Sequence, residues 1–301
     1  MPTSAKSLEQ LTSAPATTGQ RRGQLLALAA GSFVLFVLVY AFTVRTAAGQ
    51  RLDASALKGR GVLSRHDLHV AQRLHTSLDL ASLALLGTAI LLVALLRARP
   101  RLAVGTCTLI VGSLATTEIL KRSLRRPKLG VVGVLGNAPT YPSGHTTIAM
   151  ALAVSAIFVS PRRWRVAVAV LGSLFASVIG CSLVATASHR PGDVIGAVLV
   201  VTAWAAVVAA GLLRAGPDHT RRKPTLFRAS PWMALGGIGL LVTSFVVAAI
   251  SVVAFHFGRV GTVAFGHAFV AAGSAIVGAV LTCTALLLAA LQDSELDTPG
   301  R

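Results

Sequence analysis

Eight apolar stretches of 17 to 24 residues, each bounded by Arg, Lys, Pro or polar clusters, leave this chain few ways to fold. They run from Leu25 to Val44, Leu80 to Leu96, Leu102 to Leu120, Ser143 to Ser160, Val166 to Ala187, Val194 to Leu213, Trp232 to Phe255 and Ala268 to Leu291. A bilayer core of about 30 Å is crossed by about 20 helical residues, and a segment surrounded by hydrocarbon must satisfy its backbone amides and carbonyls internally. Only Glu118 puts a formal charge inside a stretch. The composition agrees, with 54% hydrophobic and 13% charged residues. The expected fold is an all-α, polytopic transmembrane helical bundle of about eight spans.

Within that bundle, residues 1–23 are polar and read as a disordered cytoplasmic tail, 24–214 as a six-span core, 215–231 as a basic cytoplasmic linker, 232–291 as a two-span hairpin and 292–301 as a C-terminal tail. Leu25 to Val44 is too long for a signal peptide and is read as a retained span. The connection from Arg45 to Asp79 is longer than a turn. Its Leu68, Ala71, Leu74 and Leu78 recur at helical spacing, which predicts an amphipathic helix on the membrane surface. His66, Asp67, His69 and His75 then fall on its solvated face, and their spacing matches no standard zinc motif. Cys107, Cys181 and Cys283 lack any ligand spacing and read as small buried hydrophobes.

The net charge of +18 would suit a polyanion if the cations lined one face. They lie instead between apolar runs, where they fit lipid headgroups and topology signals, so nucleic acid is not an expected partner. Arg97, Arg99 and Arg101, then Arg162, Arg163 and Arg165, then Arg214, Arg221, Arg222, Lys223 and Arg228 fall in alternate connections and place both termini in the cytoplasm. Lys121, Arg122, Arg125, Arg126 and Lys128 break that rule by crowding onto the outer side. A functional need for positive charge there accounts for the exception. Glu118, one turn before Lys121 and Arg122, reads as the i,i+3 or i,i+4 partner of one of these cations.

Three polar clusters stand at span ends on the same side: Lys121 to Lys128, Tyr141-Pro142-Ser143-Gly144-His145, and His189-Arg190-Pro191-Gly192-Asp193. Ser143 is a good N-cap, Gly144 allows an anion close to the backbone, and the open N–H groups and dipole of the helix start favour negative charge. Pro191 suits a first helical turn, which puts His189 at the start of that helix and Asp193 one turn in. Asp193 can then fix the His189 tautomer and leave the other ring nitrogen free to attack. A plain helix cap at Ser143 and a polar helix start at His189 are the alternative readings of each cluster alone. Together, two histidines, a carboxylate, several cations and an open helix start meet the needs of metal-free phosphoryl transfer.

At these residues the chain resembles the type 2 phosphatidic acid phosphatase family. That family's signatures are a Lys followed by Arg-Pro, then Pro-Ser-Gly-His, then Ser-Arg, five residues, His, three residues and Asp. Lys121 and Arg126-Pro127, Pro142 to His145, and Ser182, His189 and Asp193 match in order. The resemblance implies that Lys121, Arg126, Ser143 and Gly144 hold the phosphate, His189 forms a phosphohistidine, Asp193 orients it and His145 protonates the leaving group. It implies no metal or other cofactor. Two departures stand out. Four residues rather than the commoner six separate Lys121 from Arg126, and the longer count reaches Lys128, a candidate second cation. Leu183 stands where the third signature has Arg, and Arg190, Arg125 or Lys128 are the candidates to replace that charge.

The expected function is therefore a multi-pass cell-membrane phosphatase with an extracytoplasmic site, acting on a lipid phosphate or diphosphate such as phosphatidic acid or polyprenyl diphosphate. A catalytically silent lipid-phosphate binder or transporter on the same fold is the alternative that Leu183 favours.

Overall fold

The structure, a computed structural model, describes residues 18–77, 80–213, 229–256, 262–291 and 296. The expectations for residues 1–17, Leu78, Asp79, the linker cations Arg214, Arg221, Arg222, Lys223 and Arg228, and the remainder of the C-terminal tail lie outside the described residues, as does the side chain of His75.

Among the described residues ten α-helices follow one another: α1 (Thr18–Thr43), α2 (Ala47–Gly59), α3 (Arg65–Ser77), α4 (Leu80–Leu96), α5 (Pro100–Ser123), α6 (Gly144–Val159), α7 (Arg165–Ala185), α8 (Pro191–Leu212), α9 (Ala229–His256) and α10 (Thr262–Leu291). Eight coincide with the eight apolar stretches. Of these, α1, α5, α7, α8, α9 and α10 are long and apolar enough to cross a membrane, whereas α4 and α6 are apolar but shorter, at 17 and 16 residues. Large apolar side chains such as Phe33, Leu85, Val104, Leu171 and Phe245 point outwards. Such surfaces suit hydrocarbon, since lipid tails are as apolar as the side chains they meet. For the same reason an apolar residue in a span need not be inside, and Cys107 is exposed on α5, Cys181 half-buried and only Cys283 buried.

Helix α8 is the centre of the bundle. Most of it is buried, with Val194 and the run from Gly196 to Thr202 inside, and it packs on α1, α5, α6 and α10. By contrast α1 turns one stripe inward, Leu25, Ala29, Ser32 and Phe36, at helical spacing. It begins at Thr18 rather than after residue 23, and Arg22 supplies a reason. Its guanidinium donates to the Ala210 and Leu213 carbonyls at the end of α8, at 3.1 and 3.3 Å. Two further cations do the same at the end of the bundle remote from the polar clusters. Arg97 donates to the Val159 carbonyl that ends α6, at 2.8 Å, and Arg165 to the Leu291 carbonyl that ends α10, at 3.3 Å. Carbonyls at a helix end lack intrahelical partners, and a guanidinium there also meets the negative end of the dipole. The buried Leu296 closes this end by pairing with Leu213.

The long connection after α1 holds two helices, not one. α3 is the expected amphipathic helix, with Ala71 buried and Leu68 and Leu74 half-buried where it packs on α7. Asp67 belongs to its start: the Ser64 hydroxyl and N–H both donate to the carboxylate, and those bonds hold the Asp67 carboxyl below its ordinary range. His66 and His69 are exposed. α2 is the unexpected element. Thr46 caps it, and its face of Gly49, Gln50, Asp53, Ala56 and Leu57 is buried.

The last hairpin is part of the bundle. α9 packs on α10 where Gly237 faces Gly278 and Thr282, a close approach of backbones that small residues permit. α10 in turn packs on α2, α7 and α8. Ala56 of α2 meets Ala268 and Ala272, and Gly59 lies directly against the Phe265 backbone. A side chain at residue 59 has no room there. Gly59→Val should therefore lower the melting temperature of the full-length protein in detergent, by overpacking worth about 1–3 kcal/mol. Gly61→Val, at a position facing open space, should leave it unchanged.

Candidate active site

The polar clusters meet where α5 ends and α6 and α8 begin. Ser143 has extended backbone and caps α6, its Oγ accepting the Thr146 N–H at 3.4 Å and the Thr146 hydroxyl at 3.1 Å. Its own N–H donates to the Asp193 carbonyl at 3.0 Å, so the first turns of α6 and α8 abut. The Thr147 hydroxyl returns to the Ser143 carbonyl at 2.8 Å and pairs with Thr117 of α5 at 2.9 Å. Gly144 then opens the helix with bare backbone. A Cβ there would stand 3.4 Å from Lys121 Nζ and 3.5 Å from Glu118 Oε1, so its absence leaves the helix start open beside a cation. His145, in the same turn, is exposed.

The third cluster depends on how α7 stops. Ala187 adopts φ 54°, left-handed for a residue with a Cβ, and the following Ser188 and His189 N–H groups donate to the Leu183 carbonyl at 2.9 and 3.2 Å. His189 is thereby fixed between two helices. Pro191 opens α8, and Asp193 Oδ2 accepts the Arg190 N–H at 2.9 Å. The same oxygen lies 3.5 Å from His189 Nδ1. The carboxylate is buried and the imidazole is 13% exposed, so Asp193 faces one ring nitrogen while the ring keeps an open side. At 3.5 Å the contact is not a hydrogen bond, and Nδ1 has no hydrogen-bond partner among the described residues.

The cations divide into three kinds. Lys121 pairs with Glu118 at 2.7 Å, the i,i+3 contact expected from their spacing, and stands over Gly144. Arg126 has a side chain only 5% exposed, makes no hydrogen bond among the described residues, and lies 4.0 Å from Asp53. Arg190 is otherwise engaged. It donates to the Ala138 carbonyl at 3.2 Å, to Thr140 Oγ1 at 2.6 Å and to the Gly136 carbonyl at 2.7 Å, strapping down the loop between α5 and α6. It is therefore a brace for that loop, with both Nη atoms engaged there. Lys128 and Arg125 are exposed. Leu183 is fully buried against Ala149 and Ile179, so none of the three cations considered as its replacement fills its place. Its carbonyl, not its side chain, serves the site by holding His189.

Sequence reasoning passed over α2. Gln50 donates to the Val44 and Pro127 carbonyls, at 2.8 and 3.0 Å, and Asp53 Oδ1 accepts the Gly192 N–H at 3.2 Å. One helix thus grips both the Arg126-Pro127 loop and the first turn of α8. The signal was present in the spacing of Gly49, Gln50, Asp53, Ala56 and Leu57, a helical face of small and polar residues. Tyr141 was also missed as a wedge: it is buried between Phe36 and Tyr40, donates to the Phe36 carbonyl at 3.0 Å and lies against Gly196. Among the described residues no group of three or more His, Cys, Asp or Glu side chains is placed to hold a metal ion.

Residues 77–217 match the family model described as the PAP2 superfamily. Over that segment the chain is similar to this type 2 phosphatidic acid phosphatase-like family, whose members are phosphatase-type hydrolases. The comparisons with curated proteins and with solved structures gave no match. The matched segment holds every motif residue named above, whereas α1, α2 and the α9–α10 hairpin lie outside it.

If Arg190 is a brace, Arg190→Ala should remove three charge-assisted bonds and destabilise the folded protein by several kcal/mol, on the order of 1.5–3 per bond at most. Its melting temperature should fall, and limited proteolysis should cut between residues 129 and 140. Lys128→Ala, at an exposed position, should change neither.

Proposed function

We propose that the protein is a membrane-embedded, metal-independent phosphatase that hydrolyses the phosphomonoester or diphosphate bond of a lipid through a phosphohistidine at His189. The observation that carries this reading is the double use of Asp193. Its carbonyl receives the Ser143 N–H of the anion-binding helix, and its carboxylate faces the His189 imidazole. The nucleophile and the phosphate cradle are thus held by one residue.

In this reading the phosphate oxygens lie at the start of α6, against the Gly144 backbone, with Lys121 and Arg126 as counter-ions. Asp193 favours the tautomer with the proton on Nδ1, so the Nε2 lone pair attacks phosphorus in line. The bond from phosphorus to the leaving oxygen breaks, and His145 gives that oxygen its proton. His145 then takes a proton from water, whose oxygen attacks the phosphohistidine, and inorganic phosphate and neutral His189 are released. Stabilisation comes from oriented N–H groups and cations, which phosphoryl transfer mainly requires. A lipid substrate follows from position: the site lies at the ends of apolar helices, where a phosphate can reach the cations while its tail stays in hydrocarbon. An extracytoplasmic orientation, with both termini inside, is supported by Arg97 and Arg165 at the opposite end of the bundle.

One observation favours a second reading, a silent lipid-phosphate binder. Leu183 removes a cation from the family's pattern, and the apolar cluster around it leaves no charge in its place. Purified full-length protein in detergent with chelator, given a panel of lipid phosphates and diphosphates, separates the two. The phosphatase should release phosphate, be inhibited by vanadate, and lose more than about a thousandfold of its rate in His189→Ala. Equal, negligible release by both proteins with retained lipid-phosphate binding would establish the binder. His145→Ala should lose about 10²–10⁴-fold with an alkyl phosphate and much less with p-nitrophenyl phosphate, whose leaving group needs no proton.

A further inference from the structure

Arg126 enters the site with its donors unused, and the group opposite it lies outside the matched family segment. Asp53 of α2 uses one carboxylate oxygen to accept the Gly192 N–H. The other oxygen is buried, has no hydrogen-bond partner, and lies 4.0 Å from Arg126 Nη2, with both side chains 5% exposed. At that separation the two charges attract across a poorly hydrated gap, yet no guanidinium N–H is committed. A buried guanidinium without a counter-charge would be strongly unfavourable. Arg190 provides the contrast, since its donors are occupied by loop oxygens.

We propose that Asp53 is a positioning residue for anion binding: it holds Arg126 at the empty site and takes up a proton when a tetrahedral anion engages the guanidinium. The proposal rests on the reading of this site as a phosphate site. The charged groups facing Asp53 are Arg126 from the α5–α6 loop and Arg190 and Asp193 from α8, with the Tyr141 phenol nearby. Burial and the Asp193 carboxylate push the Asp53 carboxyl up to about 7, against the pull of Arg126, the Gly192 N–H and Arg190.

The sign of the linkage follows. An anion on Arg126 adds negative charge and screens the guanidinium from Asp53, so it raises the carboxyl further. Below about pH 7 Asp53 already carries its proton and binding moves none; above it, binding draws one in, and affinity falls by up to about tenfold per pH unit.

Sulfate is a suitable probe, being a tetrahedral dianion that does not itself titrate in this range. Calorimetric titration of full-length protein in detergent, in buffers of differing ionisation enthalpy, counts the protons taken up. Wild type should take up close to one proton more at about pH 8 than at about pH 6 and bind up to about tenfold more weakly at the higher pH. Asp53→Asn keeps the acceptor for Gly192 and cannot titrate; it should lose that uptake and bind sulfate equally at both pH values. Uptake that persists in Asp53→Asn would assign the proton to an imidazole and overturn the proposal.

Wild type alone supplies a second readout, which stands even if the variant does not fold. The infrared difference between sulfate-loaded and empty protein at about pH 8 should gain a protonated-carboxyl band. Sulfate binding without proton uptake or without that band overturns the role of Asp53 and leaves the phosphate site standing. No sulfate binding at any pH overturns both.

Discussion

A single backbone hydrogen bond, from the Ser143 N–H to the Asp193 carbonyl, organises this end of the bundle. It sets two helix starts side by side, one open toward an anion and one presenting an imidazole. Everything chemical depends on that abutment, because positive helix ends repel each other unless something negative lies between them. The Asp193 carboxylate supplies part of that charge from within α8, and Asp53 supplies more from α2 by accepting the Gly192 N–H. An incoming phosphate would supply the rest.

The cations of the site differ less in charge than in what their donors already hold. Lys121 is paired at 2.7 Å with a carboxylate that is 49% exposed, an arrangement a phosphate can outcompete. Arg126 is held only by attraction across 4.0 Å. Arg190 has a guanidinium near His189 in sequence but gives it to carbonyl and hydroxyl oxygens of the preceding loop. Proximity in the chain is therefore a poor guide to what an arginine's donors engage.

The features legible in the sequence are those fixed by local spacing. The eight apolar helices, the Ser143 cap, Asp193 in the first turn of α8, the inward Leu68, Ala71 and Leu74 of α3 and the Glu118–Lys121 pair all follow from residues within a few positions of each other. The failures are long-range. Arg190 was expected at the phosphate, and its bonds to residues 50 to 54 positions earlier could not be foreseen. Asp53 was overlooked because its backbone partner is 139 residues away. The helix start at Thr18 was hidden for the same reason, since Arg22 reaches carbonyls 188 and 191 residues distant. Cys107 shows a different failure: in hydrocarbon, apolar does not mean interior.

The contact of α10 with α2 reaches further than packing. Ala268 and Ala272 hold Ala56 through a seam too narrow for larger side chains, and α2 carries Gln50 and Asp53 against the motif loop. A fragment cut to residues 77–217 would keep each signature residue yet leave Arg126 without its counter-charge and Pro127 without its tether. Possessing the signature letters and possessing the assembled cleft are thus separate properties in this chain, and the difference resides in helices that carry no signature at all.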